Sequence, residues 1–170
     1  MNSNARPNVL IVDDSLGNIE LLGNILGAEY GVSFASSGQE GLDLANRYPM
    51  DLILLDVVMP GIDGFEVCRQ LKADAKTRDI PVVFLTSLES AVDEEFGLRL
   101  GAEDFIHKPV SPPVVLARVR NHIQFASAKR ELRRNNEHLE QLVAERTKEL
   151  AQRNRQLLAA QTATVTAFCA

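Results

Sequence analysis

Five polar residues fall where short apolar runs end. Asp13 and Asp14 follow Val9–Val12, Asp56 closes Leu52–Leu55, Thr86 closes Val82–Leu85, and Lys108 comes just after Phe105–Ile106. Each run is short and largely branched, as a strand buried on both faces should be. Polar groups ending neighbouring parallel strands converge on one rim of the sheet, where ligands bind. Three carboxylates, a hydroxyl and an ammonium suit a divalent cation and a phosphoryl group. Crowded carboxylates repel and raise one another's pKa values. Mg²⁺ relieves that repulsion, because it takes octahedral oxygen ligands and retains waters. Asp56 is the expected nucleophile, its carboxylate attacking phosphorus to give an aspartyl phosphate. Mg²⁺ and Lys108 would neutralise the phosphoryl oxygens. Thr86 would bond one of those oxygens once present and draw its loop inward. Taken alone, Asp13-Asp14 reads better as a loop or a helix cap, and Lys108-Pro109 as a surface pair. Their combination with Asp56 and Thr86 makes the site.

The elements that must position these residues alternate between strand and helix signals. Expected strands are Val9–Asp13, Gly31–Ser36, Leu52–Asp56, Pro81–Thr86 and Asp104–His107. Expected helices are Ser15–Leu26, Gly38–Arg47, Phe65–Leu71, Val92–Leu100 and one opened by Pro112-Pro113, where the first turn tolerates a missing N–H. In the first helix Leu16, Ile19, Leu22 and Ile25/Leu26 mark one face, with Asp14 or Ser15 as its cap. Leu42, Leu44 and Ala45 are the apolar positions of the second helix. The turn-rich Met59-Pro-Gly-Ile-Asp-Gly64 leads into the third. Five such units imply an α/β fold, a doubly wound parallel sheet with helices on both faces. The flavodoxin-like order 2-1-3-4-5 puts strands 1 and 3 together at the switch point, and so Asp13/Asp14 beside Asp56.

The fifth helix has no stop signal. Neither Gly nor Pro occurs from Arg118 to Ala163, so the helix is expected to continue into a coiled coil. The seam would be Phe125, Lys129, Leu132, Asn136, Leu139, Val143, Arg146, Leu150, Arg153, Leu157 and Ala160. Asn at an a position fixes a two-stranded register at some cost in stability. A parallel homodimer through residues 125–160 is the expectation, since an isolated solvated helix gains little without packing.

On these motifs, residues 8–125 resemble the receiver domain of bacterial two-component response regulators. The likeness rests on the acidic pair Val-Asp13-Asp14, the loop Asp56-Val-Val-Met-Pro60-Gly61-x-Asp63-Gly64, Leu-Thr86-Ser, and Phe-Ile-His-Lys108-Pro109. It implies that Asp56 accepts phosphoryl from a histidine kinase or phosphotransfer protein and that Lys108 contacts the phosphoryl group. It also implies Mg²⁺ ligation by Asp14, Asp56 and the Val58 carbonyl, with Asp13 acting largely through water. Phe105 stands at the aromatic switch position, so a step needing a phenolic hydroxyl is unavailable. The Val58 side chain cannot hydrogen-bond an attacking water. Residues 126–170 are expected to form a helical coiled-coil linker: Leu139–Leu150 resembles the helical linkers that join receivers to output domains, and Gln161–Ala170 resembles the entry to an HD-GYP cyclic-di-GMP phosphodiesterase domain. Similar linkers precede diguanylate cyclases, serine phosphatases and kinases, so the output stays open among them, and the effector itself is expected to lie outside this chain. On this reading the domain signals, and is an enzyme only toward its own phosphorylation and slow dephosphorylation.

Composition excludes other classes. With 45% hydrophobic and 24% charged residues the chain is expected to be globular. No apolar stretch approaches the roughly 18 residues of a membrane span. Residues 1–7, expected to be disordered, lack an apolar signal core, which points to the cytosol. Residues 1–128 hold 10 Lys/Arg against 18 Asp/Glu, an acidic body that argues against direct nucleic-acid binding. Cys68 and Cys169 read as ordinary thiols, and His107, His122 and His138 are too scattered for a metal site. A flavodoxin would need a Ser/Thr/Gly loop where Asp13-Asp14 would repel its phosphate. A phosphatase using an aspartyl phosphate would carry Asp-x-Asp after strand 1. An adaptor or dimerisation module without its own output stays open as the alternative, although one acting only through the coiled coil would have no use for the rim residues.

Overall fold

The structure is a computed structural model that describes residues 6–87 and 91–168. The expected disorder of residues 1–7 falls mostly on residues 1–5, outside the described residues, as does Cys169. Ten elements alternate along the chain: β1 (Asn8–Val12), α1 (Leu16–Leu26), β2 (Gly31–Ala35), α2 (Gly38–Arg47), β3 (Leu52–Asp56), α3 (Gly64–Ala73), β4 (Val82–Thr86), α4 (Ala91–Arg99), β5 (Asp104–His107) and α5 (Pro112–Phe168). The sheet is wholly parallel, in the order β2-β1-β3-β4-β5 expected from the sequence.

The three inner strands read as unbroken apolar runs because both faces are covered. Leu10, Val12, Ile53, Leu55, Val82 and Phe84 pack with α2 and α3 through Leu42, Ala45, Val67, Cys68 and Leu71. Val9, Ile11, Leu52, Leu54, Val83 and Leu85 pack on the other face with Ile19, Leu22 and Leu26 of α1 and Val115, Val119 and Ile123 of α5. Burial of this apolar surface, at about 25 cal/mol per Å², is the main force holding the sheet between its helices. Burial also pushes the Cys68 thiol up to about 11, which leaves it protonated and inert.

Boundaries moved where local chemistry decided them. Strand β1 stops at Val12, so Asp13 lies in the loop, its N–H donating to the Ala35 carbonyl at 3.2 Å. Helix α3 begins at Gly64 because the Asp63 carboxylate accepts the Glu66 N–H at 2.8 Å, an N-cap that pins the first turn. Ser15 holds the N-cap position of α1 without a side-chain cap bond. Leu16 does not join the apolar face of that helix. It is the first residue of the helix and is 74% exposed. Leu44 is only partly buried.

The chain divides into two units, Met1–Ser127 and Ala128–Ala170. In the second unit the described residues are helical, and over residues 128–161 polar and apolar side chains alike are exposed. Among the described residues no helix is long and apolar enough to cross a membrane.

Candidate functional site

The carboxyl ends of β1, β3, β4 and β5 bring the expected residues to one rim. Asp13 is fully buried, Asp14 exposed and Asp56 buried, and one carboxylate oxygen from each lies within 4.8 Å of the others. Lys108 sits between two of them. Its Nζ donates to Asp13 Oδ2 and to Asp56 Oδ2, both at 2.8 Å. Its backbone N–H donates to the Thr86 carbonyl at 2.8 Å, tying the β5 loop to the end of β4. The surface reading of Lys108 fails, since its side chain is only 21% exposed.

Asp13 is held more firmly than its sequence context suggested. Its carboxylate accepts the Ser15 N–H at 2.9 Å and the Asn18 side-chain amide at 3.0 and 3.1 Å. Asn18 is a residue that sequence reasoning missed. Its position five residues on, one turn into α1, is no recognised motif, and only the fold shows its amide aimed back at the loop.

Asp56 Oδ1 accepts the Val58 N–H at 3.2 Å. Burial pushes its carboxyl above the usual range, and the neighbouring Asp13 charge adds to that. The hydrogen bond and charge of Lys108 and the Val58 N–H oppose it without cancelling it. For Lys108 burial acts to lower the ammonium's pKa, but the hydrogen bonds and charges of Asp13 and Asp56 outweigh it and hold the group above its ordinary value. Lys108 thus supplies the positive charge that offsets, in part, what burial does to the Asp56 carboxyl.

The loop after Asp56 turns at Gly61, where φ is +83°, and returns at Gly64, whose N–H bonds the Val57 carbonyl at 2.9 Å. A Cβ on Gly64 would lie 2.2 Å from the Asp56 carbonyl oxygen. That contact is with backbone, which cannot swing away. Gly64→Ala is therefore expected to lower stability by about 2 kcal/mol or more, read as a fall in the urea midpoint. An unchanged midpoint would mean that the loop has slack at the acceptor.

Thr86 closes β4 and is buried. Phe105, one strand over, is buried too, its ring tilted on Phe84 with centroids 5.2 Å apart. Val58 is exposed, as a residue bordering an open site would be.

The donors are all hard oxygens, two of them buried and one facing solvent. That set fits a small dication that keeps part of its water shell. The three carboxylates exceed the one ammonium among them, so the pocket retains a negative excess that a dication would offset.

The sequence model of the response regulator receiver domain matches residues 9–120. The chain belongs to that family. This receiver is 43% identical over 142 residues to a probable cyclic di-GMP phosphodiesterase of Vibrio cholerae, covering 84% of this chain and 32% of that protein. It is 48% identical over 126 residues to the response regulator PleD of Caulobacter vibrioides, covering 74% and 28%. The chain thus spans about a third of the length of these curated relatives. A receiver domain of a Pseudomonas aeruginosa sensor histidine kinase, solved with magnesium coordinated in its active-site cleft, superposes with a TM-score of 0.66 at 26% identity, over 71% of this chain and 99% of that one.

Proposed function

We propose that Asp56 accepts a phosphoryl group from a histidine kinase or phosphotransfer protein, and that this receiver passes its state to an output domain through a dimeric helix. The observation that carries the first part is the convergence of three carboxylates and Lys108 on one rim. A carboxylate oxygen of Asp56 forms the new O–P bond while the donor's N–P bond breaks, and the imidazole leaves with the electron pair. Lys108 starts on Asp13 and Asp56, within reach of the oxygens that gain charge, and stabilises them. Asp14, Asp56 and the Val58 carbonyl, with Asp13 largely through water, would hold Mg²⁺, which would supply the remaining neutralisation of those oxygens. Thr86 then bonds a phosphoryl oxygen as the switch, with Phe105 following it. Incubation with acetyl phosphate and Mg²⁺ should add one phosphoryl group to the intact mass. No adduct at millimolar donor would overturn the reading.

The second part rests on the seam. Phe125, Leu132 and Leu139, then Val143, Leu150 and Leu157, recur every seven residues, each more than half exposed in the single chain. A second copy would cover them in parallel, where Asn136 meets its own mate. With Cys introduced at Leu139, oxidation should yield same-site cross-linked dimers, and light scattering at micromolar concentration a dimeric mass. A monomeric mass without cross-links would remove the dimer.

For the output, cyclic-di-GMP hydrolysis is favoured. The likeness to the Vibrio cholerae protein extends over 142 residues, well past the receiver match at residues 9–120. A longer chain carrying the following domain should hydrolyse cyclic-di-GMP, whereas its synthesis from GTP would identify a cyclase instead.

A further inference from the structure

The face of α5 that meets the sheet is fastened on both flanks. Val115, Val119 and Ile123 form the buried row. By helical geometry Arg118 and His122 stand on one side of that row and Arg120 on the other. Arg118 donates to both oxygens of Asp104, and His122 Nε2 lies 3.0 Å from Asp104 Oδ2. On the opposite flank Arg120 Nη2 bonds Glu29, past the end of α1, at 3.1 and 3.2 Å. Rolling the helix either way would break one set.

Asp104 is placed to receive movement from the site. It opens β5, a strand of only four residues, and its Oδ1 also accepts the Phe105 N–H at 2.8 Å. Phe105 leans on Phe84, two residues before Thr86, and the far end of the strand leads to Lys108, bonded to the Thr86 carbonyl. A shift of Thr86, Lys108 or the Phe105 ring therefore displaces a carboxylate that two α5 side chains grip.

We propose that Asp104 is a positioning residue that sets the roll of α5, transmitting movement of β5 to Arg118 and His122 against the fixed stop of Glu29 and Arg120. This rests on the reading that Asp56 is phosphorylated, since that event is what moves β5. Such a latch needs a second position of α5, as a switching element must have. Its charged groups are partly exposed, so the contact can part and re-form.

The experiment compares amide exchange over residues 113–125 in the full chain, before and after treatment with acetyl phosphate and Mg²⁺. In wild type, phosphorylation should change the exchange of this segment about five-fold, the scale of one partly exposed ion pair made or lost. In Asp104→Asn, and independently in Arg118→Gln at a half-buried position, phosphoryl uptake should stay at the wild-type level while that change disappears. A merely structural role would shift exchange in both states and leave their difference intact. Either variant keeping the wild-type difference overturns the latch. So does a phosphorylated wild type whose α5 exchange is unchanged. Absence of any adduct on wild-type Asp56 overturns the proposed function instead.

Discussion

A Lys108→Met chain should melt well below wild type in chelator and recover most of the loss when Mg²⁺ is added. Lys108 is the cation seen between Asp13 and Asp56, at 2.8 Å from each. Without it, a fully buried Asp13 and a buried Asp56 are left beside Asp14 with no opposing ammonium. Breaking a fully buried pair costs about 3–5 kcal/mol. Lys108 keeps some solvent contact, so a figure of about 2 kcal/mol is expected here, or roughly 5–8 °C in Tm for a domain of this size. A dication binding the folded state at 100 times its Kd would return about 2.7 kcal/mol. The variant should also bind Mg²⁺ more tightly than wild type, because no ammonium competes for the carboxylates, and yet accept phosphoryl more slowly. Scanning calorimetry with and without Mg²⁺ checks this. Equal melting of the two chains in chelator would show that the Lys108 contacts contribute nothing net.

Asp56→Asn should abolish phosphoryl uptake and raise stability at neutral pH. The amide has no anionic oxygen for the attack, so the loss is complete rather than graded. The gain in stability comes from burial, which pushes the Asp56 carboxyl above its unfolded value. The folded state favours the protonated acid. Its stabilising contribution is thus full below the unfolded value, about 3.9, and is lost as pH rises through the folded value. Above that window wild type carries a charge that the fold disfavours, and the variant does not. An advantage for the variant is expected at pH 7, closing as pH falls toward 4. Mg²⁺ should narrow it, since the dication stabilises the ionised carboxylate. A variant less stable than wild type at pH 7 in chelator would mean that the Lys108 bond outweighs burial.

The strands were legible because a strand covered on both faces has no room for polar residues, so Leu52–Leu55 and Val82–Leu85 stand out sharply against Asp56 and Thr86. For the same reason those two announced themselves as rim residues, and the order of the sheet came from pairing strands 1 and 3 around the carboxylates. Less legible was anything decided by an approach between distant segments. Leu16 keeps the spacing of the apolar face of α1 yet opens the helix largely exposed. Asn18 looks like an ordinary helical polar residue until its amide is seen on Asp13. The Asp63 cap was readable, because Asp-x-x-Glu ahead of an apolar run is a capping pattern, but the surrounding turn residues favour a loop on local grounds. His122 is one of three histidines scattered along the sequence, and only the crossing of α5 over β5 gives it Asp104 as a partner.

Peptide mapping of the full chain after treatment with acetyl phosphate tests the central claim most directly. With Mg²⁺ present, a single phosphoryl group should map to Asp56, and it should be missing in excess chelator and in Asp56→Asn. A phosphoryl group on any other residue, or equal modification of Asp56 with the metal chelated, would contradict it.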